Sequence, residues 1–340
     1  MLDTLETLCA LRGVSGREDE VRSYILERVM PHADEIRTDA MGNLMVFKRG
    51  AKAPEKRVML TAHMDEVGLI ITSITEDGYL KFGACGGIDR RVLPGKSVFV
   101  GENRVLGVIG LKPVHLTDAD ERKKLPKLTE LYIDIGAKDK KTAEALVELG
   151  DVCAFEDNIV RFGDGFIKAK ALDDRCGCAC MVELLESELP CDCWFAFTVQ
   201  EEAGARGASV AAYELKPDAA LILETTTAAD LAGVEGADRV CCLGKGVVIP
   251  FMDRTTIYDK ALFKTLTRLA DENGIPWQTK SRVAGGTDAS AFQRTGCGAA
   301  VAAISVPVRN IHSPGSIAKQ SECADQLRLA RAFLEETARG

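Results

Sequence analysis

Five short, strand-length apolar runs in this chain end in side chains that a fold buries only at a cost. Val58-Met59-Leu60-Thr61-Ala62 leads into His63-Met64-Asp65-Glu66, and Ala219-Ala220-Leu221-Ile222-Leu223 leads into Glu224. Trp194-Phe195-Ala196-Phe197-Thr198-Val199-Gln200 ends at Glu201-Glu202, and Ala169-Lys170-Ala171-Leu172 ends at Asp173-Asp174-Arg175. Val301-Ala302-Ala303-Ile304-Ser305-Val306 is followed by Arg309-Asn310-Ile311-His312-Ser313-Pro314-Gly315. Two adjacent carboxylates at the mouth of a buried strand repel each other and must lose water together. A fold tolerates this when a cation sits beside them. In an open α/β sheet, ligands gather outside the carboxyl ends of the strands. The five runs are therefore expected to converge on one cation site.

His63, Asp173, Glu202, Glu224 and His312 offer two imidazole nitrogens and three carboxylates. That set is too anionic and too large for one tetrahedral zinc, but it suits two metals sharing a bridging carboxylate. Asp65, two residues after His63, has the position to accept the second ring N–H of a metal-bound imidazole. His32 and His115 lack any such context and read as ordinary surface or structural residues.

The alternation of elements predicts an α/β fold: a mixed, mostly parallel sheet flanked by helices, with a small β-barrel inserted. Residues 1–68 and 158–340 form a discontinuous catalytic domain in this reading, and 69–157 the β-rich insert. Within the insert, short runs such as Leu69-Ile70-Ile71, Tyr79–Phe82, Ser97–Val100, Arg104–Ile109 and Leu131–Ile135 are separated by glycine-rich turns and Pro94-Gly95. The spacing beyond it predicts helices over 174–189, 260–273 and 321–337, and strands over 194–199, 219–224 and 301–306. Ser15-Gly16-Arg17-Glu18 fits a capping box ahead of a helix whose buried stripe is Val21, Ile25 and Val29.

At 340 residues with net charge −8, the chain has ample material for a core. No basic run with interleaved aromatics appears, which disfavours nucleic acid as a partner. Neither a signal-peptide pattern nor a membrane-length apolar span is present, so a cytoplasmic protein is expected. The twelve cysteines show no paired C-x-x-C spacing and read as reduced, apolar thiols. A nucleophilic Cys176 is unsupported, and Cys178, Met181, Val182, Leu185 and Leu189 form a core stripe. Dinucleotide, P-loop and nucleophile-elbow motifs are absent.

Taken in order, five motifs carry a family resemblance: Thr61-Ala62-His63-Met64-Asp65-Glu66-Val67-Gly68, Ala171–Arg175, Val199–Glu202 with Gly204 and Arg206-Gly207-Ala208, Gly286–Ala289, and Arg309–Pro314. Together they resemble the TET-type dinuclear metalloaminopeptidases, which include deblocking and glutamyl aminopeptidases. The resemblance implies that Asp173 bridges two metals, with His63 and Glu224 completing one site and Glu202 and His312 the other. It implies Glu201 as general base and acid and Asp65 as the group orienting His63. It also implies two divalent ions per subunit, zinc or cobalt first and manganese a further candidate. Short peptides with free amino termini would be the substrates. The β-rich insert would mediate dimers that build a hollow homo-dodecamer. The family more often carries aspartate at the position of Glu224; glutamate keeps the carboxylate and adds one methylene.

Two other classes compete with an aminopeptidase. One is a metal-dependent hydrolase of another bond, an N-acyl amide or a glycoside, and the other is a non-catalytic scaffold. Dependence on a free amine separates the first pair. For specificity, the resemblance implies that the Gly285–Ala289 loop lies near the substrate pocket, while Arg206 and Arg282 read equally as partners for an acidic first side chain or as salt-bridge residues.

Overall fold

In the computed structural model, which describes residues 1–339, the chain opens with helices α1 (Leu2–Ala10) and α2 (Asp19–Val29). Three strands follow: β1 (Glu35–Thr38), β2 (Leu44–Lys48) and β3 (Val58–His63). The segment after β3 carries β4 (Gly68–Ile74), β5 (Leu80–Cys85), β6 (Ser97–Val100), β7 (Val105–Gly110), β8 (Tyr132–Asp134), short helix α3 (Lys140–Glu144) and β9 (Val152–Phe155). Next come β10 (Val160–Phe162), β11 (Phe166–Ala169), α4 (Leu172–Leu185), β12 (Cys193–Thr198), α5 (Arg206–Leu215) and β13 (Ala219–Thr227). The chain finishes with β14 (Val247–Val248), α6 (Lys260–Glu272), β15 (Trp277–Gln278), α7 (Ala289–Arg294), β16 (Ala300–Val308), β17 (Ser316–Lys319) and α8 (Gln320–Thr337).

An eight-stranded sheet in the order β1-β2-β12-β3-β13-β16-β14-β15 forms the spine. Its middle four strands, β12, β3, β13 and β16, pair in parallel, while β2 joins β12 and β14 joins β16 antiparallel. Burial on both faces explains why these runs are almost continuously apolar. Leu221 and Leu223 pack with α1, α2, α4, α6 and α8, whereas Ala220 and Ile222 face α5 and α7. The second face is built mainly from alanines, which lets α5 and α7 lie close.

Strands β4–β9 close into a six-stranded barrel with its own core, including Leu69, Leu80, Val98, Ile109 and Ile133. The sequence reading omitted β9, whose four residues seal the barrel against β4 and β6. A further three-stranded sheet, β10-β11-β17, stands apart from the spine. Ala169–Leu172 is therefore not a strand of the central sheet, contrary to the expectation of a single row of strand ends. Helix α4 starts at Leu172 and stops at Leu185, short of the expected 189, although Leu189 is buried all the same. Its close approach to the sheet needs Gly177, where a Cβ would lie 2.4 Å from Asp174 Oδ2 and 2.8 Å from the Leu223 carbonyl.

The capping box is not formed. The Ser15 hydroxyl donates to Asp65 at 2.5 Å, and the Glu18 carboxylate accepts from the Gly16 and Gln200 amides at 2.6 and 3.2 Å. Burial pushes the Glu18 carboxyl up to about 7. Both residues serve the strand-end loops instead of the start of α2. All twelve cysteines are free, and no helix among the described residues is long and apolar enough to cross a membrane.

Candidate metal centre

Parallel pairing sets the first group of ligands. Thr198 lies opposite His63 on β12 and β3, and β13 is in register with β3 up to Ile222 opposite Thr61. Continuing two residues brings His63 and Glu224 to one level at the carboxyl ends of adjacent strands. The Nε2 of His63 is 3.5 Å from both Glu224 Oε1 and Asp173 Oδ1. Asp173 itself comes from the kink at the very start of α4, just after β11, where its backbone is not helical (φ −87°, ψ 106°).

The second group uses the other oxygen of Asp173. His312 Nε2 is 3.1 Å from Asp173 Oδ2 and 3.3 Å from Glu202 Oε1. His312 sits in the connection between β16 and β17, and Glu202 in the turn after β12. One ligand atom from each of His63, Asp173 and Glu224 fits within 4.8 Å of the others, and the same holds for Asp173, Glu202 and His312. The five candidate ligands thus form two triads that share Asp173.

Outer contacts hold both imidazoles with Nε2 inward. Nδ1 of His63 is 3.1 Å from the Asp65 carbonyl and 3.4 Å from its carboxylate, and Nδ1 of His312 is 3.1 Å from the Gly87 carbonyl. This is the arrangement by which protein groups orient a metal-binding histidine. The Asp65 carboxylate, fully buried, also accepts from the Glu201 and Glu202 amides at 2.9 and 3.1 Å. It therefore ties β3 to the Glu201-Glu202 turn. The Thr225 hydroxyl donates to Asp173 at 2.8 Å, and its amide donates to Glu224 at 3.0 Å. Gly87 and Thr225 were not legible as site residues, because each acts through a backbone group or hydroxyl with no motif of its own, and Ser15 read as a helix cap instead.

The electrostatics are those of a buried anionic cluster that contains two histidines. Burial, reinforced by Asp173, pushes Glu224 up to about 8, and burial with Asp173 pushes Glu202 up to about 7. Burial opposes charge on His312, yet Asp173 and Glu202 bring it up to about 9. Burial likewise opposes charge on His63, and Glu224, Asp173 and Asp65 outweigh it. Burial would raise Asp173, but the two histidines hold it well below the usual carboxylate range. Burial and mutual repulsion thus favour protons on Glu224 and Glu202. Two divalent cations would replace those protons, and the nitrogen–oxygen donor set fits them.

Glu201 adjoins these triads without joining either, and its carboxylate makes no hydrogen bond among the described residues. Burial raises its pKa well above the ordinary value; His63 opposes the rise, and Asp288, Glu224 and Glu202 add to it. Buried Asp288 accepts from the Thr198 hydroxyl at the end of β12 at 2.5 Å. The specificity cations fare differently. Arg282 is exposed and pairs with Asp238, and Arg206 is exposed at the start of α5. Lys280, which sequence reasoning passed over, is partly buried, with one 3.4 Å contact to the Ala284 carbonyl. Burial lowers its pKa, and Asp253, Cys241, Glu224 and Asp173 oppose that effect.

A family model described as M42 glutamyl aminopeptidase matches residues 42–329. A relative from Acetivibrio thermocellus, provisionally named an aminopeptidase, is 38% identical over 331 residues and is covered to 97%, as is this chain. The aminopeptidase APDkam598 from the archaeon Desulfurococcus kamchatkensis has a similar structure, with a TM-score of 0.92 and 35% identity. That match covers 98% of this chain and 94% of the other. The Pyrococcus horikoshii TET1 peptidase, which can assemble into a tetrahedron or a large octahedral shell, gives a TM-score of 0.86 at 34% identity. It covers 98% of this chain and 99% of its own.

Proposed function

The chain belongs to the M42 glutamyl aminopeptidase family and is a hydrolase of the aminopeptidase class, and on that premise we propose how it works. Two divalent cations, zinc or cobalt first and manganese next, would be held by His63, Asp173 and Glu224 on one side and by Asp173, Glu202 and His312 on the other. The observation that carries this reading is the single Asp173 carboxylate offering one oxygen to each triad. Bound ions supply Lewis acidity toward a water molecule and the scissile carbonyl.

The protein's own groups do the rest. Glu201, whose carboxylate makes no hydrogen bond among the described residues and whose amide is held by Asp65, takes the proton from water and returns it to the leaving amine. A raised carboxyl pKa suits that exchange. The surrounding carboxylates favour a cationic amino terminus, which restricts action to the first residue of a short peptide. Lys280, in place of Arg282, is the cation suited to an acidic first side chain.

Exposed apolar side chains on and after β7, Leu106, Val108, Val114, Leu116 and Leu125, fit an insert that is covered in a homo-oligomer, a dodecamer in this proposal. Twelve free thiols suit a reducing, cytoplasmic location.

The test is amino-acid release from a peptide panel, each peptide carried with a free and an acetylated amino terminus. Enzyme stripped by chelation is compared with enzyme restored by zinc, cobalt or manganese, with bound metal counted. Restored cleavage of free-ended peptides at two ions per subunit is expected. Cleavage of acetylated peptides alone would move the assignment to a deacylase. Lys280→Met should lower cleavage of glutamyl peptides about tenfold more than alanyl ones, and an equal loss on both would remove Lys280 from specificity.

A further inference from the structure

Close in sequence to His63 and Asp173 lies a buried charge cluster that the chemistry above leaves unused. Glu66, Lys170 and Arg175 are each no more than 2% exposed. Lys170 Nζ donates to both oxygens of Glu66, at 2.7 and 2.9 Å, and to the Leu11 carbonyl at 2.7 Å. Arg175 Nη1 donates to the Leu8 carbonyl at 2.6 Å, and Nη2 stands 3.7 Å from Glu66. Glu66 also accepts from the Gly13 amide at 3.0 Å. A Cβ on Gly13 would fall 2.5 Å from Arg175 Nη2, so residue 13 has no room for a side chain.

Position in the chain gives this cluster its meaning. Glu66 follows Asp65 directly and His63 by three residues. Lys170 precedes Asp173 by three, and Arg175 follows it by two. The cluster therefore joins the two segments that carry His63 and the shared Asp173, and it anchors both to carbonyls at the end of α1. Two cations face a single carboxylate, the remainder being met by the carbonyls of Leu8 and Leu11 at the negative end of a helix dipole. Breaking such a buried pair would leave an uncompensated charge and free the segments to shift. A metal site tolerates little movement, because groups beyond the ligands set their orientation.

We infer that Lys170, clamped on Glu66 beside Arg175, is a positioning residue that sets the distance between His63 and Asp173 and so the affinity of the metal pair. This rests on the two-ion reading given above. Lys170→Met keeps the length of the side chain and leaves Glu66 within reach of Arg175. Metal affinity by chelator competition, together with kcat and KM, is the measurement. At least one ion should bind about tenfold or more weakly and kcat should fall in metal-limited buffer, with KM unchanged within about twofold. Lys170→Arg, which restores a donor to Glu66, should recover part of both. A folded Lys170→Met protein with wild-type affinity and kcat would overturn the inference. If that variant fails to fold, the pair Glu66→Gln/Lys170→Met removes both charges and takes its place. If the pair also fails to fold, the cluster is a folding element and the positioning role is rejected. Wild-type protein that binds fewer than two ions breaks the metal reading itself, a result separate from any variant's behaviour.

Discussion

The two ligand triads share a carboxylate and little else. The His63 triad is rooted in neighbouring strands of a parallel sheet, with both His63 and Glu224 buried. The His312 triad hangs on connections: His312 has a third of its side chain exposed, and Gln200, just before the Glu201-Glu202 pair, has φ of 55°, as does His312. Its outer support comes from Gly87, in the barrel segment, whereas His63 is supported by Asp65 at the end of its own strand. Sheet register places one triad, and loop conformation together with a second structural unit places the other. The first should therefore be the tight, slowly exchanging site and the second the labile one.

The largest expected effect treats the triads as one machine. Glu201→Gln should lower kcat by about 10²- to 10⁴-fold while both metals stay bound. Near-normal turnover in metal-replete protein would remove Glu201 from the mechanism. Asp65→Asn disturbs both triads, since Asp65 braces His63 and holds the Glu201 and Glu202 amides. About 10- to 100-fold in metal affinity or activity should be lost. Should only one ion weaken, Asp65 does not link the triads. Chelation of wild-type protein followed in time should show two phases, with activity lost in the first as the His312 triad empties. A single phase would erase the distinction between rigid and labile sites.

The pH dependence of the metal-free protein sharpens the comparison with a smaller signal. Glu202 near 7 and Glu224 near 8 lie above the ordinary 4.5, and His312 near 9 lies above 6.5. All three bind protons more tightly folded than unfolded. Their contribution is complete below the unfolded values and is lost as pH rises toward the folded ones. The Tm of metal-free protein should fall between about pH 5 and pH 9. With metal bound the trend should flatten or reverse, because the ligands bind deprotonated. A metal-free Tm that rises over this range would contradict the reading. Smallest is Gly87→Ala, whose Cβ would meet His312 Nδ1 at 3.4 Å. A few-fold weakening confined to one ion is expected, and equal loss at both would show that the barrel segment does not act on one triad alone.

Legibility followed how each residue does its work. The five candidate ligands stood out in the sequence because strands buried on both faces must be apolar, and a His, Asp or Glu at the end of such a run is conspicuous. Helix and strand periods also marked the flanking layers and the small barrel. Ser15 and Glu18 misled because the pattern S-x-x-E is local, while their actual partners are Asp65 and the Gly16 and Gln200 amides. Arg282 read equally as a pocket cation or a salt-bridge residue, and Asp238, distant in sequence, pairs with it on the surface. Lys170 looked like an ordinary strand residue, although its charge is buried against Glu66.

By itself the sequence determined the donor chemistry, the layered α/β plan and the order of the five motifs, since each of these depends on side-chain type and short-range period. Only the tertiary structure decided that Asp173 arrives from the β11–α4 connection instead of a central strand, that Gly87 steadies His312, and that Glu66, Lys170 and Arg175 meet in one buried cluster. Those contacts join segments tens to hundreds of residues apart, and the chain packing that closes them leaves no periodic trace in either partner.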